Sequence, residues 1–286
     1  MANKNRNNVQ RKNRTTKTDI YKQYGIIYDR KADKIYHPLF GWIKPLLING
    51  NDKLGRGVYT YSTLATNSFY NVTLDTVYGP AEYHINGTCP CHCDKCYATR
   101  GRYVFDTVKN ANARKTIISR NDINWMIAAI KAQIKAEHIR ICRIHASGDF
   151  DSMEYVKAWR EIVADCNETV FWTYTKNAAA EHAFDDLDNI NIVKSVIPGI
   201  GFNFGHCDYI IKAYNALKAI GKNVYICRCG VDKNQHCTNC TACSKNDFVL
   251  FIEHSTEYKA EKDPLFPAVK ALIESQADPA GRVKAA

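Results

Sequence analysis

The cysteines are the residues of this chain best suited to chemistry. The 286-residue sequence contains 12 of them, and most lie in two short segments, one near residue 90 and one near residue 235. Disulfide scaffolds are usually much shorter chains from oxidising compartments, so this clustering does not indicate a disulfide framework. Thiolates are ligands for soft metal ions. The sequence therefore predicts two metal sites.

The first cysteine cluster lies in the segment TCPCHCDKCYA, residues 88–98. Its spacing, Cys89-x3-Cys93-x2-Cys96, lets one short loop wrap three thiolates around a single centre and leaves one coordination position open. This arrangement favours an iron-sulfur cluster. Zinc is the alternative, because Cys91 or His92 could supply the fourth ligand of a tetrahedral site.

The second cysteine cluster repeats the C-x2-C spacing twice in overlap, which is typical of metal-binding knuckles. Either Cys227 or His236 could replace one ligand of the simplest set. A structural zinc ion, an auxiliary iron-sulfur centre and a zinc knuckle that contacts nucleic acid all fit this pattern. The four predicted ligands are Cys229, Cys237, Cys240 and Cys243.

The elements that would position these clusters follow an alternating pattern from residue 81 onward. Apolar runs of strand length alternate with helical patterns, which is typical of βα units on a parallel sheet. Helices are predicted after the first four of these strands, one of them carrying its apolar face on residues 123–134. The five predicted strands span residues 82–85, 138–146, 170–175, 191–197 and 223–228.

The strand at 138–146 alternates apolar residues with polar ones, among them Arg143 and His145. One of its faces therefore contacts helices and the other faces a polar space, as in the lumen of a barrel. Ligands gather at the carboxyl ends of such strands, where Asp149, Lys176 and both cysteine clusters fall. We predict an α/β fold with a partial (β/α) barrel of about five to six parallel strands.

Four regions follow from this pattern. Residues 1–19 form a basic arm, expected to be disordered when free because it is poor in apolar residues. Residues 20–80 form a β- and loop-rich segment packed on the barrel at 81–229, and residues 230–286 hold the second cysteine cluster and a C-terminal helix. The formal net charge is +10, and the arm concentrates basic residues, so it is predicted either to contact nucleic-acid phosphates or to act as a solubilising tail.

No run of 18 apolar residues and no apolar signal region occurs in the sequence. A membrane partner is therefore not expected, and we predict a cytoplasmic protein. The isolated cysteines outside the two clusters are interpreted as small buried apolar residues.

The motifs resemble those of the radical S-adenosylmethionine enzymes. In that family the spacing seen in the first cysteine cluster holds a [4Fe-4S] cluster after the first strand of a partial barrel, and the open iron chelates S-adenosylmethionine. The second strand usually ends in a Gly-rich acidic motif that binds the cofactor. The resemblance implies that Ser147, Gly148 and Asp149 bind S-adenosylmethionine, and that Lys176 and His145 face the cofactor or the substrate in catalysis.

The sequence departs from that family's pattern at three positions. Lys95 precedes the last cysteine where an aromatic residue is usual, Cys91 is surplus, and Asp149 replaces the common glutamate. These departures favour the alternative of a degenerate barrel that keeps its cluster for structure only.

A second resemblance is to the phage gene-product-88 family of uncharacterised proteins. It rests on the combination TCP with CYA, then RIHASGDF, then TYTK, then a terminal cysteine cluster, and it spans residues 49–243. The sequence is thus interpreted as an iron-sulfur protein of phage type, a radical S-adenosylmethionine-like enzyme that acts on a nucleic acid or nucleotide. The other alternative is a non-enzymatic phage protein that binds zinc and nucleic acid.

Overall fold

The computed structural model describes residues 15–50, 54–91, 96–232, 235–253 and 258–276. Most of the predicted basic arm and one predicted ligand, Cys93, lie outside these residues. The helices are α1 (Lys17–Gln23), α2 (Asp106–Asn121), α3 (Ile123–Glu137), α4 (Met153–Asp165), α5 (Cys207–Ala219) and α6 (Phe266–Ser275).

The strands are short and belong to several small sheets. They are β1 (Tyr28–Asp29), β2 (Lys34–His37), β3 (Gly41–Ile43), β4 (Ile48–Asn49), β5 (Val58–Thr60), β6 (Phe69–Thr76), β7 (Gly79–Asn86), β8 (Ile141–Ile144), β9 (Val170–Thr175), β10 (Ile190–Lys194), β11 (Val196–Ile197), β12 (Gly201–Phe202), β13 (Phe204–Gly205), β14 (Val224–Ile226) and β15 (Phe248–Ile252).

The largest sheet has the strand order β10-β9-β8-β5-β4. Strands β5, β8, β9 and β10 are parallel, and β4 pairs with β5 in the antiparallel sense at the edge. The strands predicted from 138, 170 and 191 correspond to β8, β9 and β10. Parallel strands require crossover connections, and α3 and α4 provide two of them.

The structure differs from the prediction at the first strand. Residues 82–85 lie in β7, which pairs with β6 as a two-stranded antiparallel hairpin. Because alternate residues of β7 remain partly exposed, this segment has the pattern of a hairpin rather than of a strand buried on both faces. Strand β5 therefore takes the place that we predicted for 82–85.

A second parallel sheet has the order β13-β15-β14. Strand β14 lies within the predicted strand at 223–228, whereas β15 was not predicted. Main-chain bonds connect the two sheets, since Asn203 donates to the Ser195 carbonyl at 3.1 Å and its own carbonyl accepts from Phe251 at 2.8 Å. The partial barrel and the four-region division remain predictions.

The two faces of the large sheet have different neighbours. On one face, Phe171 shares a continuous apolar core with residues of α3 and α4, such as Met126 and Trp159. On the other face, Trp172 packs with Val58 and with cysteines of the second cluster. The period-two alternation of a strand thus separates a helix-covered face from a cysteine-covered face. Among the described residues, no helix has the length and apolarity to span a bilayer.

A buried glutamine ties the N-terminal region to α3. Gln133 is 2% exposed, accepts a hydrogen bond from the Leu47 amide at 2.8 Å and donates one to the Leu47 carbonyl at 2.8 Å. The pair satisfies two buried main-chain groups that would otherwise lose their bonds with water.

The substitution Gln133→Met should therefore lower the free energy of unfolding by about 3 kcal/mol, because it leaves both main-chain groups of Leu47 unpaired. Urea denaturation followed by circular dichroism measures this change. The matched control is Gln23→Met, since Gln23 is exposed at the end of α1. Equal stability of the two variants would contradict the anchoring role of Gln133.

Candidate functional site

After β5 the chain forms the hairpin β6–β7 and then returns to the end of β5. The Gly87 amide donates to the Ser68 carbonyl at 3.0 Å, and the Thr88 amide donates to the Leu64 carbonyl at 3.0 Å. Cys89 follows at once and is 7% exposed. A side chain on Gly87 would place its Cβ 2.0 Å from the Thr66 carbonyl oxygen. The first cysteine cluster therefore begins beside the carboxyl end of the parallel strand β5, whereas the sequence placed it after a parallel strand at 82–85.

The Thr88 hydroxyl joins this loop to the end of β8. It is hydrogen bonded to the Thr63 hydroxyl at 2.9 Å and accepts from the Asp149 amide at 2.9 Å. The Ser147 hydroxyl donates to the Thr63 carbonyl at 2.9 Å. Gly148 has a φ of 84°, and a Cβ on it would lie 1.9 Å from the Thr63 hydroxyl. The residues predicted to bind a cofactor thus make close contacts with the protein itself.

Asp149 is 1% exposed, and its carboxylate links the ends of β8 and β9. It accepts hydrogen bonds from the Phe150 amide at 2.8 Å, the Thr175 hydroxyl at 2.6 Å and the Lys176 amide at 2.8 Å. Burial raises the pKa of Asp149, while the bonds from Thr175 and the two amides oppose the rise. These contacts favour a positioning role for this carboxylate over the direct capture of a cofactor amine.

The two residues predicted to be catalytic have different surroundings. Lys176 is half-buried, and its positive charge favours the charged form of Asp149. His145 is 2% exposed, and its Nε2 lies 3.0 Å from the Tyr155 hydroxyl of α4. Its ring meets Phe150 edge-on at a centroid distance of 4.6 Å.

His145 therefore does not continue the polar face of β8. Strand β8 ends at Ile144, and His145 has a φ of 58°, so the alternation that assigned it to the polar face no longer holds. Burial, aided by the charge of Arg143, lowers the pKa of His145 to about 3. A neutral imidazole packed on α4 fits a core residue better than the predicted catalytic one.

Arg143 occupies the face of β8 that the second cysteine cluster covers. Its guanidinium carbon lies 5.1 Å from the ring centroid of Tyr174, and its Nη2 lies 3.5 Å from the Tyr97 hydroxyl. Its Nε is buried and has no hydrogen-bond partner among the residues that the structure describes. Burial opposes the charge, but the phenols of Tyr97 and Tyr174 and the Cys237 thiol outweigh it and raise the pKa of Arg143. The alternation of polar and apolar residues in the sequence placed Arg143 on this face but indicated no function for it.

The segment after Cys96 is held against the end of β8. The hydroxyls of Tyr97 and Tyr103 both donate to the Ala146 carbonyl, at 2.6 Å and 3.1 Å. Cys96 is half-buried. Burial is the main reason that the pKa of Tyr103 is raised, and the nearby Cys96 thiol adds to the rise. Because Cys93 lies outside the described residues, the three-thiol site stays a prediction.

The second cysteine cluster brings its five thiols together, including Cys227. The thiol of Cys229 is hydrogen bonded to those of Cys227 and Cys237, and these contacts raise its pKa. Cys240 and Cys243 are each influenced by the same two thiols, although burial is the main reason that their pKa values rise. The Tyr174 hydroxyl donates to the Cys243 sulfur at 2.8 Å. Cys227 joins the four ligands predicted from the sequence.

This donor set suits a thiophilic metal. Within the described residues, no three His, Cys, Asp or Glu side chains already have the arrangement of metal ligands. Raised thiol pKa values mean that neutral thiols are favoured when no cation is near, and a soft cation reverses this preference by binding the thiolates. Five neighbouring thiols fit zinc or an iron-sulfur centre, and this structure leaves both predicted alternatives open.

A polar cleft of about 510 Å³ opens beside Cys89. In its wall, the Arg120 guanidinium pairs with Asp151 at 2.7 Å and donates to the Asn86 carbonyl at 2.8 Å. The side-chain oxygens Oδ1 of Asn86 and Asp151 are buried and find no hydrogen-bond partner within the part of the chain that the structure describes. Sequence reasoning missed this cleft because its lining comes from five separate segments, near residues 67, 86–90, 119–120, 150–154 and 177. Its two free acceptors suit a ligand that carries N–H or O–H donors.

These features define an α/β protein with a parallel sheet and two cysteine clusters, the first at the carboxyl ends of its strands and the second on one face. The sequence model of one family, gene product 88, matches residues 45–254. The chain therefore belongs to the gene product 88 family, and the predicted relationship to it is confirmed. The relationship to the radical S-adenosylmethionine enzymes finds no support among these matches.

Two curated relatives are phage proteins. The Gene 88 protein of Mycobacterium phage D29 is 26% identical over 147 residues, which cover 42% of this chain and 61% of the relative. The Gene 88 protein of Mycobacterium phage L5 is 29% identical over 126 residues, which cover 39% of this chain and 53% of the relative. The match thus spans just over half of each relative's length. No solved structure matches the chain.

Replacing Asp149 tests its positioning role. Asp149→Asn turns one acceptor oxygen into an NH₂ group that faces a donor, so it should lower the free energy of unfolding by about 2 kcal/mol. Chemical denaturation at pH 7 measures this loss. The control is Asp188→Asn, an exposed carboxylate, which should change stability by less than about 0.5 kcal/mol. A neutral Asp149→Asn would refute the anchoring role.

The buried imidazole predicts acid sensitivity. Because the pKa of His145 is about 3 when folded and 6.5 ordinarily, the unfolded chain takes up a proton between these values that the folded chain does not. The contribution of the neutral His145 side chain to the free energy of unfolding is complete above pH 6.5 and falls as the pH drops toward 3. Between pH 7 and pH 4.5, His145→Gln should lose about 2 kcal/mol less stability than the parent chain. Denaturation at both pH values measures this, and exposed His182→Gln should match the parent.

Proposed function

We propose that this chain is a metal-dependent enzyme of the radical S-adenosylmethionine type. The first cysteine cluster would hold a [4Fe-4S] centre through Cys89, Cys93 and Cys96, and the second would hold zinc or an auxiliary iron-sulfur centre. The chemistry of three closely spaced thiols with no fourth protein ligand required supports this assignment. When bound, such a centre supplies the electron for reductive cleavage of S-adenosylmethionine.

The observation that carries the proposal is the position of Cys89. The Thr88 hydroxyl network ties the residue before it to the ends of β5 and β8, and Cys89 lines the polar cleft. A metal held there would be open to a small-molecule ligand in the cleft. Ligand sites of parallel α/β sheets lie at this edge.

The chain's own residues have separable tasks in this proposal. In the cleft, Asn86 and Asp151 would accept hydrogen bonds from the donor groups of a bound cofactor, and the ion pair with Arg120 would keep the Asp151 carboxylate oriented. The aromatic residues behind the cleft, Phe150 among them, exclude water from the reacting atoms. A dry site protects a reactive species from side reactions.

A structural metalloprotein is the second candidate. The observation that favours it is the carboxylate of Asp149, which already accepts three hydrogen bonds from the protein. A carboxylate used in this way has little capacity left for a cofactor amine. This candidate keeps both metal centres and omits the cleavage of S-adenosylmethionine.

Anaerobic purification followed by iron, sulfide and zinc analysis separates metal types. The triple variant Cys89→Ala, Cys93→Ala and Cys96→Ala should contain about four fewer iron atoms per chain than the parent, because one cubane is lost. Cys166→Ala should keep the parent's iron, since Cys166 lies at the end of α4 away from both clusters. Colourless parent protein with zinc alone would rule out the iron-sulfur centre.

The enzymatic step is tested on the iron-loaded parent. After reduction with dithionite in the presence of S-adenosylmethionine, 5′-deoxyadenosine should form, as measured by liquid chromatography and mass spectrometry. Asp151→Asn weakens the cleft but removes no thiol, so it should lower deoxyadenosine formation without lowering the iron content. Iron-loaded protein that forms no deoxyadenosine would contradict the enzyme and favour the structural metalloprotein.

A further inference from the structure

The segment after the first cysteine cluster exposes aromatic rings among arginines. Tyr97 and Phe105 are 57% and 58% exposed, and Arg100 and Arg102 between them are exposed as well. We name residues 97–105 the aromatic lip. It contains no acidic residue. Single-stranded nucleic acids bind surfaces of this kind, because bases stack on rings and phosphates pair with guanidinium groups.

The aromatic lip has a fixed place in the fold. The hydroxyls of Tyr97 and Tyr103 donate to the same acceptor, the Ala146 carbonyl, and the two rings meet edge-on at a centroid distance of 5.9 Å. Two short 3₁₀ turns shape the intervening backbone. A preformed surface loses less conformational entropy on binding than a flexible one.

Arg143 lies behind the aromatic lip, within 3.5 Å of the Tyr97 hydroxyl. Its Nε is buried and unpaired, and it makes no ion pair with a carboxylate among the described residues. A buried N–H group without an acceptor costs free energy, even though the rest of this half-buried side chain can reach water. A phosphate that reaches the guanidinium from the lip side would accept from its Nη groups, the forked donors with which arginine binds oxyanions.

We propose that the aromatic lip and Arg143 bind single-stranded nucleic acid, with bases stacked on Tyr97 and Phe105 and one phosphate held by Arg143. Arg100 and Arg102 contact the phosphates on either side. The assignment of this nucleic acid as the substrate rests on the proposed function. Its binding requires neither iron nor S-adenosylmethionine, so the two proposals fail separately.

Fluorescence anisotropy with labelled single-stranded DNA, single-stranded RNA and duplex DNA tests the site on the full chain. The lip variant combines Arg100→Gln, Arg102→Gln and Phe105→Ala. It should raise the Kd for the preferred single strand at least about tenfold. The slope of log K against log salt should fall by about 1.4, since each phosphate contact contributes about 0.7 on a single strand.

The matched control combines Arg30→Gln, Arg56→Gln and Tyr78→Ala. It removes the same charge and one aromatic ring from exposed positions outside the lip, and both variants keep the basic N-terminal residues. The control should bind as the parent does. Equal affinity of the lip variant and the control would overturn the proposal, as would duplex binding as tight as single-strand binding.

Arg143→Lys tests the buried position separately. It keeps the positive charge but loses the forked donors, so it should raise the Kd severalfold without changing the melting temperature greatly. Tighter binding of either DNA or RNA supports the site and identifies the sugar that it accepts. Normal oligonucleotide binding without deoxyadenosine formation would contradict the proposed enzyme and leave this binding site in place.

Discussion

The convergence of three chain segments on the Thr88 hydroxyl is the constraint on which the candidate site depends. The hydroxyl meets Thr63 after β5 and the amide of Asp149 after β8. Thr88 is 1% exposed, so water cannot replace a lost partner, and every bond in the group must be made by protein. The distance between strand ends is thereby fixed, and with it the position at which Cys89 leaves the sheet. The β6–β7 hairpin lies between β5 and Thr88, and the bond from the Gly87 amide to the Ser68 carbonyl closes it, so the chain returns to the end of β5.

The burial pattern of each element explains which parts of the fold could be predicted. Helix α4 buries one apolar face, whereas α3 and β9 are apolar and buried on nearly all sides, so in each element the sequence pattern matched the burial. Helix α2 buries polar residues such as Lys115, which is 5% exposed. Its sequence therefore lacks the apolar periodicity that would have predicted a helix. The segment at 82–85 has alternation that fits either a hairpin or a half-buried sheet strand, and only its pairing partner distinguishes the two.

The candidate site could be predicted where its ligands lie close together in the sequence. It was harder to predict where the site depends on the direction in which a side chain points. The spacing within each cysteine cluster identified the thiols, with Cys227 as an alternative ligand of the second cluster, and the structure brings the Cys227 thiol against that of Cys229. Alternation along β8 assigned Arg143 and His145 to one face. The positive φ of His145 breaks the alternation at one residue, which sends the imidazole to the helices and leaves Arg143 beside the thiols.

The position of Arg143 bears on the state of those thiols. Burial raises the pKa values of Cys240 and Cys243, so these two thiols, when neutral, give the guanidinium of Arg143 little electrostatic compensation. Four thiolates around one divalent cation carry a net negative charge, which would stabilise the guanidinium across the same face of the sheet. Metal binding and the burial of Arg143 thus favour each other.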